Sequence, residues 1–276
     1  MRSVLITGTS TGIGRATAVS LAGEGWRVYA GVRKDEDARA VEAAAPGDVV
    51  AVKLDVTDAD SIAAAVARIE ADTGGRLDGL VNNAGVYLGG PLEFMTRQEI
   101  ERTYAVNVIG LLEVTRAFLP MLRAARGRIV NVSSISGLVA LPGVSVYAGS
   151  KHAVEAITDS LRVELAGFGI HVSSVEPGSV RTAIWEKGAA RDQARAAEPG
   201  TAETRKLYAP LVRLLEKLNS RPGVLPPEQV AEAIADALES EKPRNRYLCG
   251  NDAKSLSLLG KLPDALRDRL IGSKIR

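Results

Sequence analysis

The sequence predicts an α/β fold: a single doubly wound parallel sheet of seven strands with helices on both faces. Three observations predict it. Short β-rich apolar runs alternate with helical patterns, a glycine-rich turn follows the first run, and no apolar run approaches the roughly 20 residues that span a bilayer. With 276 residues, 46% hydrophobic and 25% charged, the chain can bury a full core, and we predict one domain over residues 1–276.

The predicted elements follow one another regularly. The candidate strands are residues 3–7, 27–31, 49–54, 77–82, 128–132, 170–175 and 246–249. Between them, apolar residues recur three or four positions apart, as in Val154, Ile157, Leu161 and Leu165, which is typical of amphipathic helices. A long helix is predicted over residues 97–125. Because parallel strands need crossover connections, helices then cover both faces of the sheet.

Two regions interrupt this alternation. Residues 183–227 contain no clear strand, and we interpret them as an insertion that forms a substrate lid. Within it lies an apolar stripe that faces a substrate pocket, the core or a partner subunit, and these alternatives stay open: Leu207, Leu211, Leu214, Leu215 and Leu218. Residues 240–276 form a basic extension with nine Lys and Arg against four Asp and Glu, either a solvated helical end or a partner-binding surface.

Composition excludes several classes of protein. Lys and Arg total 35 against 33 Asp and Glu, which is too balanced for a nucleic-acid binder. One cysteine, Cys249, and two histidines, His152 and His171, cannot supply a structural zinc site. We expect no metal and interpret both histidines as structural. The first residues lack a basic region followed by a cleavage site, so we expect no secretory signal, no transmembrane segment and a cytoplasmic location.

The glycine-rich turn predicts a phosphate-binding site. It reads Thr7-Gly8-Thr9-Ser10-Thr11-Gly12-Ile13-Gly14 and leads into a helical pattern. Glycine lets the backbone approach a ligand closely, and a helix N-terminus offers free N–H groups and a positive dipole to a pyrophosphate. The spacing differs from the common G-x-G-x-x-G, and a tight turn without a ligand is the alternative. We predict that the dinucleotide-binding residues here are Gly8, Ser10, Thr11, Gly12, Ile13 and Gly14.

Further motifs follow in a specific order. Asn82-Asn83-Ala84-Gly85 closes the fourth strand, Ser134 follows the fifth, Tyr147 and Lys151 lie four residues apart, and Pro177-Gly178 follows the sixth. On a helix a spacing of four places both side chains on one face. Together with the glycine turn, these motifs resemble the short-chain dehydrogenase/reductase family in its single-domain, Rossmann-type form, over nearly the whole chain.

The resemblance implies a catalytic tetrad formed by Asn107, Ser134, Tyr147 and Lys151. Hydride transfer to a carbonyl leaves an oxyanion that an acid must protonate, which is the role implied for Tyr147. Lowering a phenol pKa from about 10 to near 7 favours the phenolate by roughly 4 kcal/mol, and an adjacent cation shifts a pKa by about 1 to 3 units. We therefore expect Lys151 to supply most of this shift. By the same resemblance Ser134 bonds the substrate oxygen, Lys151 holds the nicotinamide ribose and Asn107 positions a relay water.

The resemblance also assigns the remaining cofactor contacts. Asn83, Ala84 and Gly85 resemble the stretch beside the adenine, as does Asp55 with its neighbour Val56, although an N-cap role for Asp55 is the alternative. The segment implied to cover the nicotinamide contributes Pro177, Gly178, Val180 and Thr182, and Tyr147 and Lys151 also contact the cofactor.

Cofactor choice depends on the end of the second strand, where an acid binds a ribose 2′-hydroxyl and a base accepts a 2′-phosphate. Val32 occupies the position where NAD-preferring relatives carry Asp, and Arg33 follows it. With no acid to repel a phosphate and an Arg to bind it, NADP(H) is favoured over NAD(H).

The stretch from Leu111 to Trp185 looks most like the hydroxysteroid and retinol dehydrogenase branch. We therefore predict hydride transfer involving a small lipophilic ketone, aldehyde or secondary alcohol. A 3-oxoacyl thioester reductase on the same fold and a non-catalytic NADP(H)-sensing regulator are the alternatives. The family resemblance further implies a homodimer or homotetramer.

Overall fold

A computed structural model describes residues 1–182, 206–219 and 225–273. Its seven strands form one parallel sheet in the order β3-β2-β1-β4-β5-β6-β7. They are β1 Ser3–Thr7, β2 Arg27–Val32, β3 Val49–Lys53, β4 Gly79–Asn82, β5 Arg128–Val132, β6 His171–Pro177 and β7 Arg246–Cys249. The predicted fold class is confirmed. β1, β5 and β7 have the predicted bounds, and the ends of the other four strands differ from the prediction by at most two residues.

Helices cover both faces of the sheet. They are α1 Gly12–Gly23, α2 Asp35–Ala44, α3 Ala59–Thr73, α4 Arg97–Tyr104, α5 Leu111–Ala125, α6 Ser145–Ala166, α7 Ala209–Asn219, α8 Pro227–Glu239, α9 Asn251–Leu259 and α10 Asp264–Gly272. Alternate residues of a strand point to opposite faces, so Val4 and Ile6 enter one core and Leu5 enters the other. This arrangement leaves the loops at the carboxyl ends of the strands free to form a site.

The predicted long helix over Arg97–Ala125 is present, but one part of it is not α-helical. Residues Ala105–Gly110 form a π-helical segment between α4 and α5, a geometry frequent at functional sites. Asn107 lies within it and is 2% exposed. By length and composition this helix could span a membrane, while Val114 and Phe118 of the same helix are fully buried in the core.

The lid insertion predicted over residues 183–227 lies largely outside the described residues. Of its leucine stripe, Leu207 is 77% exposed, Leu211 and Leu214 are half-buried, and the side chain of Leu218 lies outside the described part. A Cβ atom added to Gly143 would lie 2.6 Å from Leu215 Cδ1. One side of the stripe therefore faces the loop that precedes Tyr147.

Buried amides connect the two helices that flank the central strands. Asn82 Nδ2 donates to Thr115 Oγ1 of α5 and to Asn131 Oδ1, both at 2.9 Å. Asn131 Nδ2 donates in turn to Thr158 Oγ1 of α6 at 2.9 Å. Since each of these side chains is at most 4% exposed, their hydrogen bonds replace water and fix α5 and α6 relative to β4 and β5.

Asn131→Ala should lower the free energy of unfolding by about 2–4 kcal/mol, because it leaves buried polar partners unsatisfied on two elements. Urea unfolding followed by circular dichroism measures the change. The exposed Asn251→Ala serves as control and should stay within about 0.5 kcal/mol of the parent. Equal losses in the two variants would contradict a role for this network in stability.

Candidate active site

The glycine turn has the conformation its sequence predicts. Gly8 and Gly12 have φ values of 71° and 61°, the left-handed region in which side chains are disfavoured. A Cβ at Gly14 would lie 2.4 Å from both Asn83 Nδ2 and the Gly8 carbonyl oxygen. Thr11 is the N-cap of α1, but its side chain makes no capping hydrogen bond, and the first turn of α1 holds no acidic residue. The first amides of α1 are therefore available to an anion.

Asn83 joins this turn to the end of β4. Its Nδ2 donates to the Thr7 and Gly8 carbonyl oxygens at 2.8 and 2.9 Å, and Thr7 Oγ1 accepts from the amides of Asn83 and Ala84 at 3.0 and 2.9 Å. A Cβ at Gly8 would lie 2.9 Å from Ala84 Cα. The Asn83 side-chain nitrogen thus holds the glycine turn against the end of β4.

The ends of β2 and β3 form the neighbouring wall. The Gly31 carbonyl oxygen accepts from the amides of Gly8 and Thr9, both at 3.0 Å, so the glycine turn is fixed to the end of β2. Val32 is 4% exposed at that end, and Arg33 beyond it is exposed. The structure thereby brings Arg33 and the glycine turn to one edge of the sheet.

Asp55 lies at the end of β3 and accepts from the amide and hydroxyl of Thr57 at 3.0 and 2.7 Å. Burial raises its pKa, but these hydrogen bonds and the charges of Arg33 and Arg102 outweigh burial and lower the pKa overall. The N-cap of α3 is Asp58, not Asp55. Val56, beside Asp55, is buried and would contact a Cβ at Gly110 in the π-helical segment.

The segment after β6 closes over the glycine turn. A Cβ at Gly12 would lie 2.9 Å from Thr182 Cγ2. Val180 forms a parallel bridge with Leu225, and Pro177 ends β6. The structure therefore brings residues 177–182 and the turn together, as the sequence predicts for two walls of one cofactor site.

The four candidate catalytic residues converge at the carboxyl ends of β4 and β5. The Ser134 side chain lies close enough to the Tyr147 hydroxyl to lower its pKa, and Lys151 Nζ lies 5.9 Å from the Tyr147 ring centre. Lys151 is 5% exposed and donates to the Val132 carbonyl oxygen at 2.9 Å. Asn107 contacts the same helix, since its Nδ2 donates to Ser150 Oγ at 3.0 Å.

Asn107 also holds the chain that follows Asn83. Its Oδ1 accepts from the Val86 amide at 2.8 Å, and its Nδ2 donates to the Val86 carbonyl oxygen at 3.0 Å. A Cβ at Gly85 would lie 3.4 Å from Asn107 Oδ1 and 3.8 Å from Lys151 Nζ. Gly85 therefore lies between two of the candidate catalytic side chains.

Burial governs the protonation of this group. It raises the pKa of the Tyr147 phenol, and the nearby Ser134 side chain only partly offsets this. Burial also lowers the pKa of Lys151 to about 8, against the opposing charge of Glu155. The pKa of Tyr147 is therefore raised rather than brought near 7, because burial outweighs the Ser134 contribution and Lys151 Nζ donates to the Val132 carbonyl oxygen instead.

Apolar and aromatic side chains pack beside the Tyr147 ring. The Tyr87 and Tyr147 rings meet edge to face, with centres 5.0 Å apart. Tyr87 also packs in one cluster with Val144, Ala148 and Leu141. Leu215 approaches the same loop from α7. The wall beside the candidate acid is thus mainly hydrophobic.

Sequence reasoning missed a buried cluster of charges behind Lys151. Glu155 and Glu176 are 6% and 0% exposed, and both accept from Arg246 Nη1. One oxygen of each carboxyl, Glu155 Oε1 and Glu176 Oε2, is buried without a hydrogen-bond partner. Burial and the charge of Glu155 raise the pKa of Glu176 to about 7. The one available sequence signal was Glu155, one helical turn beyond Lys151.

These features define a dinucleotide-dependent oxidoreductase site on a parallel α/β sheet. The glycine turn contacts both the β4 end and residues 177–182, and Tyr147 and Lys151 lie on α6 at the same carboxyl end of the sheet. The chain belongs to the short-chain dehydrogenase family, because the family model "short chain dehydrogenase" matches residues 2–193.

Relatives place it in the hydroxysteroid and retinol dehydrogenase branch. It is 39% identical to short-chain dehydrogenase/reductase family 9C member 7 of Bos taurus, over 97% of this chain and 88% of that one. It is 39% identical to 17-beta-hydroxysteroid dehydrogenase type 1 of Mus musculus over 90% and 73% of the two chains. It is 37% identical to retinol dehydrogenase 16 of Mus musculus over 97% and 87%.

A solved structure shares the fold as well. The chain is similar to a short-chain dehydrogenase from Streptomyces avermitilis, with a TM-score of 0.79 and 35% identity, over 98% of this chain and 95% of that one. The protein is accordingly an NAD(P)-dependent oxidoreductase.

The Glu176 carboxyl should make stability depend on pH. Its folded pKa of about 7 exceeds the ordinary 4.5, so the folded state binds more protons, and unfolding free energy falls as pH rises between these values. Relative to the parent, Glu176→Gln should remove a fall on the order of 2 kcal/mol. Urea unfolding from about pH 5 to pH 8 measures it, with the exposed Glu164→Gln as control. Parallel stability curves in parent and Glu176→Gln would show that Glu176 is ionised throughout.

Proposed function

We propose that this protein is an NADP(H)-dependent oxidoreductase for lipophilic ketones, aldehydes or secondary alcohols, with Tyr147 as the general acid or base. The observation that carries the proposal is the proximity of Tyr147 to Ser134 and to buried Lys151, at the carboxyl end of the sheet where the glycine turn also lies. Each of these side chains by itself would be an ordinary polar residue. The three side chains together suit carbonyl reduction.

The residues present fit a dinucleotide. The left-handed Gly8 and Gly12 and the uncapped first turn of α1 suit a pyrophosphate, and Gly85 leaves the approach to Lys151 Nζ without a side chain. Lys151 would hold the ribose nearest the nicotinamide, and Asp55 would face the adenine. When bound, the nicotinamide supplies or accepts the hydride.

Each catalytic side chain has a separate task in this proposal. The raised pKa of Tyr147 keeps its hydroxyl protonated at neutral pH, so it can donate that proton to the carbonyl oxygen during reduction. Ser134 holds that oxygen by a hydrogen bond. Lys151, with a pKa of about 8, still carries a charge at neutral pH with which it would bind the cofactor. Asn107 fixes the main chain at Val86 and would position a relay water.

The surroundings of Tyr147 support an apolar substrate. Tyr87, Val144 and Leu215 supply the wall, and two relatives are named for a hydroxysteroid and for retinol. A panel of steroid, retinoid, aryl and 3-oxoacyl thioester carbonyls, assayed with NADPH and NADH, tests the class. Turnover confined to carrier-bound thioesters would replace this proposal by a thioester reductase. Tight NADPH binding without turnover would indicate a sensing protein.

Exposed apolar residues on the long helix and α6 support a homodimer or homotetramer. Ile109 is 56% exposed, Leu112 38% and Val163 79%. A second copy of the chain that packed against the long helix and α6 would cover these side chains. Light scattering on the purified protein measures the assembly.

Tyr147→Phe should lower kcat for carbonyl reduction about 100-fold or more while leaving the NADPH Kd unchanged, because one proton-donating hydroxyl is lost. Steady-state kinetics and a binding titration measure both. The control is Tyr104→Phe, a partly exposed residue of α4, which should retain the parent kcat. Near-normal turnover in the Tyr147 variant would contradict its assignment as the acid.

Arg33→Ala should weaken NADPH binding about tenfold and spare NADH, because a charged hydrogen bond to a 2′-phosphate contributes about 1.5–3 kcal/mol. The adjacent exposed Lys34, paired with Glu36 at 3.0 Å, gives a matched control of equal charge.

Val32→Asp should shift preference towards NADH, since a carboxylate repels the 2′-phosphate of NADPH and bonds the free 2′-hydroxyl of NADH. An unmoved NADPH/NADH ratio of kcat/KM in both variants would place these residues away from the ribose.

A further inference from the structure

Asp252, in the first turn of α9, bonds the segment that follows β6. The last backbone contact between the two strand ends is the Gly178 amide donating to the Cys249 carbonyl oxygen at 2.9 Å. The next amide, that of Ser179, donates instead to Asp252 Oδ2 at 2.7 Å. A carboxylate thus replaces the carbonyl that a longer strand would supply, and charge makes this hydrogen bond stronger than a neutral one.

Two glycines make room for this carboxylate. A Cβ at Gly178 would lie 2.1 Å from Asp252 Oδ1 and 2.4 Å from Oδ2, and a Cβ at Gly250 would lie 2.6 Å from Oδ1. Gly250 also has a φ of 99°, which side chains disfavour. Asp252 Oδ1 accepts from the Ala253 amide at 2.9 Å. The carboxylate is therefore held in a slot that any larger residue at position 178 would close.

The helix that carries Asp252 is fixed on the other side of the site. Ala253 is fully buried in one cluster with Ile135 and Val139, which follow Ser134. The segment held by Asp252 continues to Thr182, which contacts the glycine turn at Gly12. Asp252 thereby connects the residues that follow Ser134 to residues 178–182.

We propose that Asp252 is a positioning residue that fixes residues 178–182 over the nicotinamide half of the cofactor. The proposal rests on the proposed function. It assigns a role to the basic C-terminal extension, which supplies the carboxylate. Without that carboxylate, the Ser179 amide loses its acceptor. The bonds that remain include Gly178 N to the Cys249 carbonyl oxygen at 2.9 Å and Leu225 N to the Ser179 carbonyl oxygen at 3.1 Å.

Calorimetric titration with NADPH and with 2′,5′-ADP, which lacks the nicotinamide half, tests the proposal. Asp252→Ala should raise the NADPH Kd about tenfold and leave 2′,5′-ADP binding within about twofold. Asp252→Asn keeps an oxygen acceptor for the Ser179 amide and should stay within about threefold of the parent for NADPH. The control is Asp264→Ala, in the same extension, whose carboxylate pairs with Arg267 on the surface.

A double-mutant cycle tests the slot itself. Gly178→Ala alone should raise the NADPH Kd about tenfold or more, because its methyl meets the carboxylate. In the Asp252→Ala background the same change should add less than about twofold, since the obstructing group is gone. If Asp252→Ala does not fold, the Asn variant and Gly178→Ala decide the question.

Several results would overturn the proposal. They are parental NADPH binding in Asp252→Ala, equal loss of both ligands, an Asn variant as weak as the Ala variant, or additive effects in the cycle. A parent protein that binds neither ligand and reduces no carbonyl would instead overturn the proposed function, and this proposal with it.

Discussion

The close contact between the carboxyl ends of β1 and β4 is the constraint on which the site depends. The chain order of the sheet reverses there, which opens a crevice beside the first strand. Asn83 closes its floor by donating to the carbonyl oxygens of Thr7 and Gly8, and Gly14 has no room for a side chain beside that amide. Asn83 therefore fixes the conformation of the glycine turn. The glycine turn leads into α1 and leaves the first amides of that helix accessible.

Polar side chains then set the catalytic helices against the sheet. The buried hydrogen bonds that run from Asn82 through Asn131 to Thr158 fix α6 against the sheet. Asn107 contacts α6 through Ser150. The π-helical segment matters because it turns Asn107 inward from an otherwise regular helix. Buried hydrogen-bond networks of this kind hold side chains in one arrangement, as proton transfer between fixed groups requires.

Desolvation dominates the electrostatics of the site. It raises the pKa of Tyr147, which favours the neutral phenol, and it lowers the pKa of Lys151. Behind Lys151, Glu155 and Glu176 share Arg246, so burial and repulsion favour a proton on Glu176 at neutral pH. Counting charges along the sequence cannot reveal this balance, because the sign and size of each shift depend on what surrounds the group once the chain has folded.

The sequence by itself determined the alternation of strands and helices, the glycine turn and the order of the motifs that include Tyr147 and Lys151. These are local patterns, and periodicity and glycine conformation suffice to find them. Only the tertiary structure decided that Asn83 is committed to the turn, that the pKa of Tyr147 is raised, and that Asp252 meets Gly178. Those outcomes join residues far apart in the chain, where contact and burial, rather than spacing, fix the chemistry.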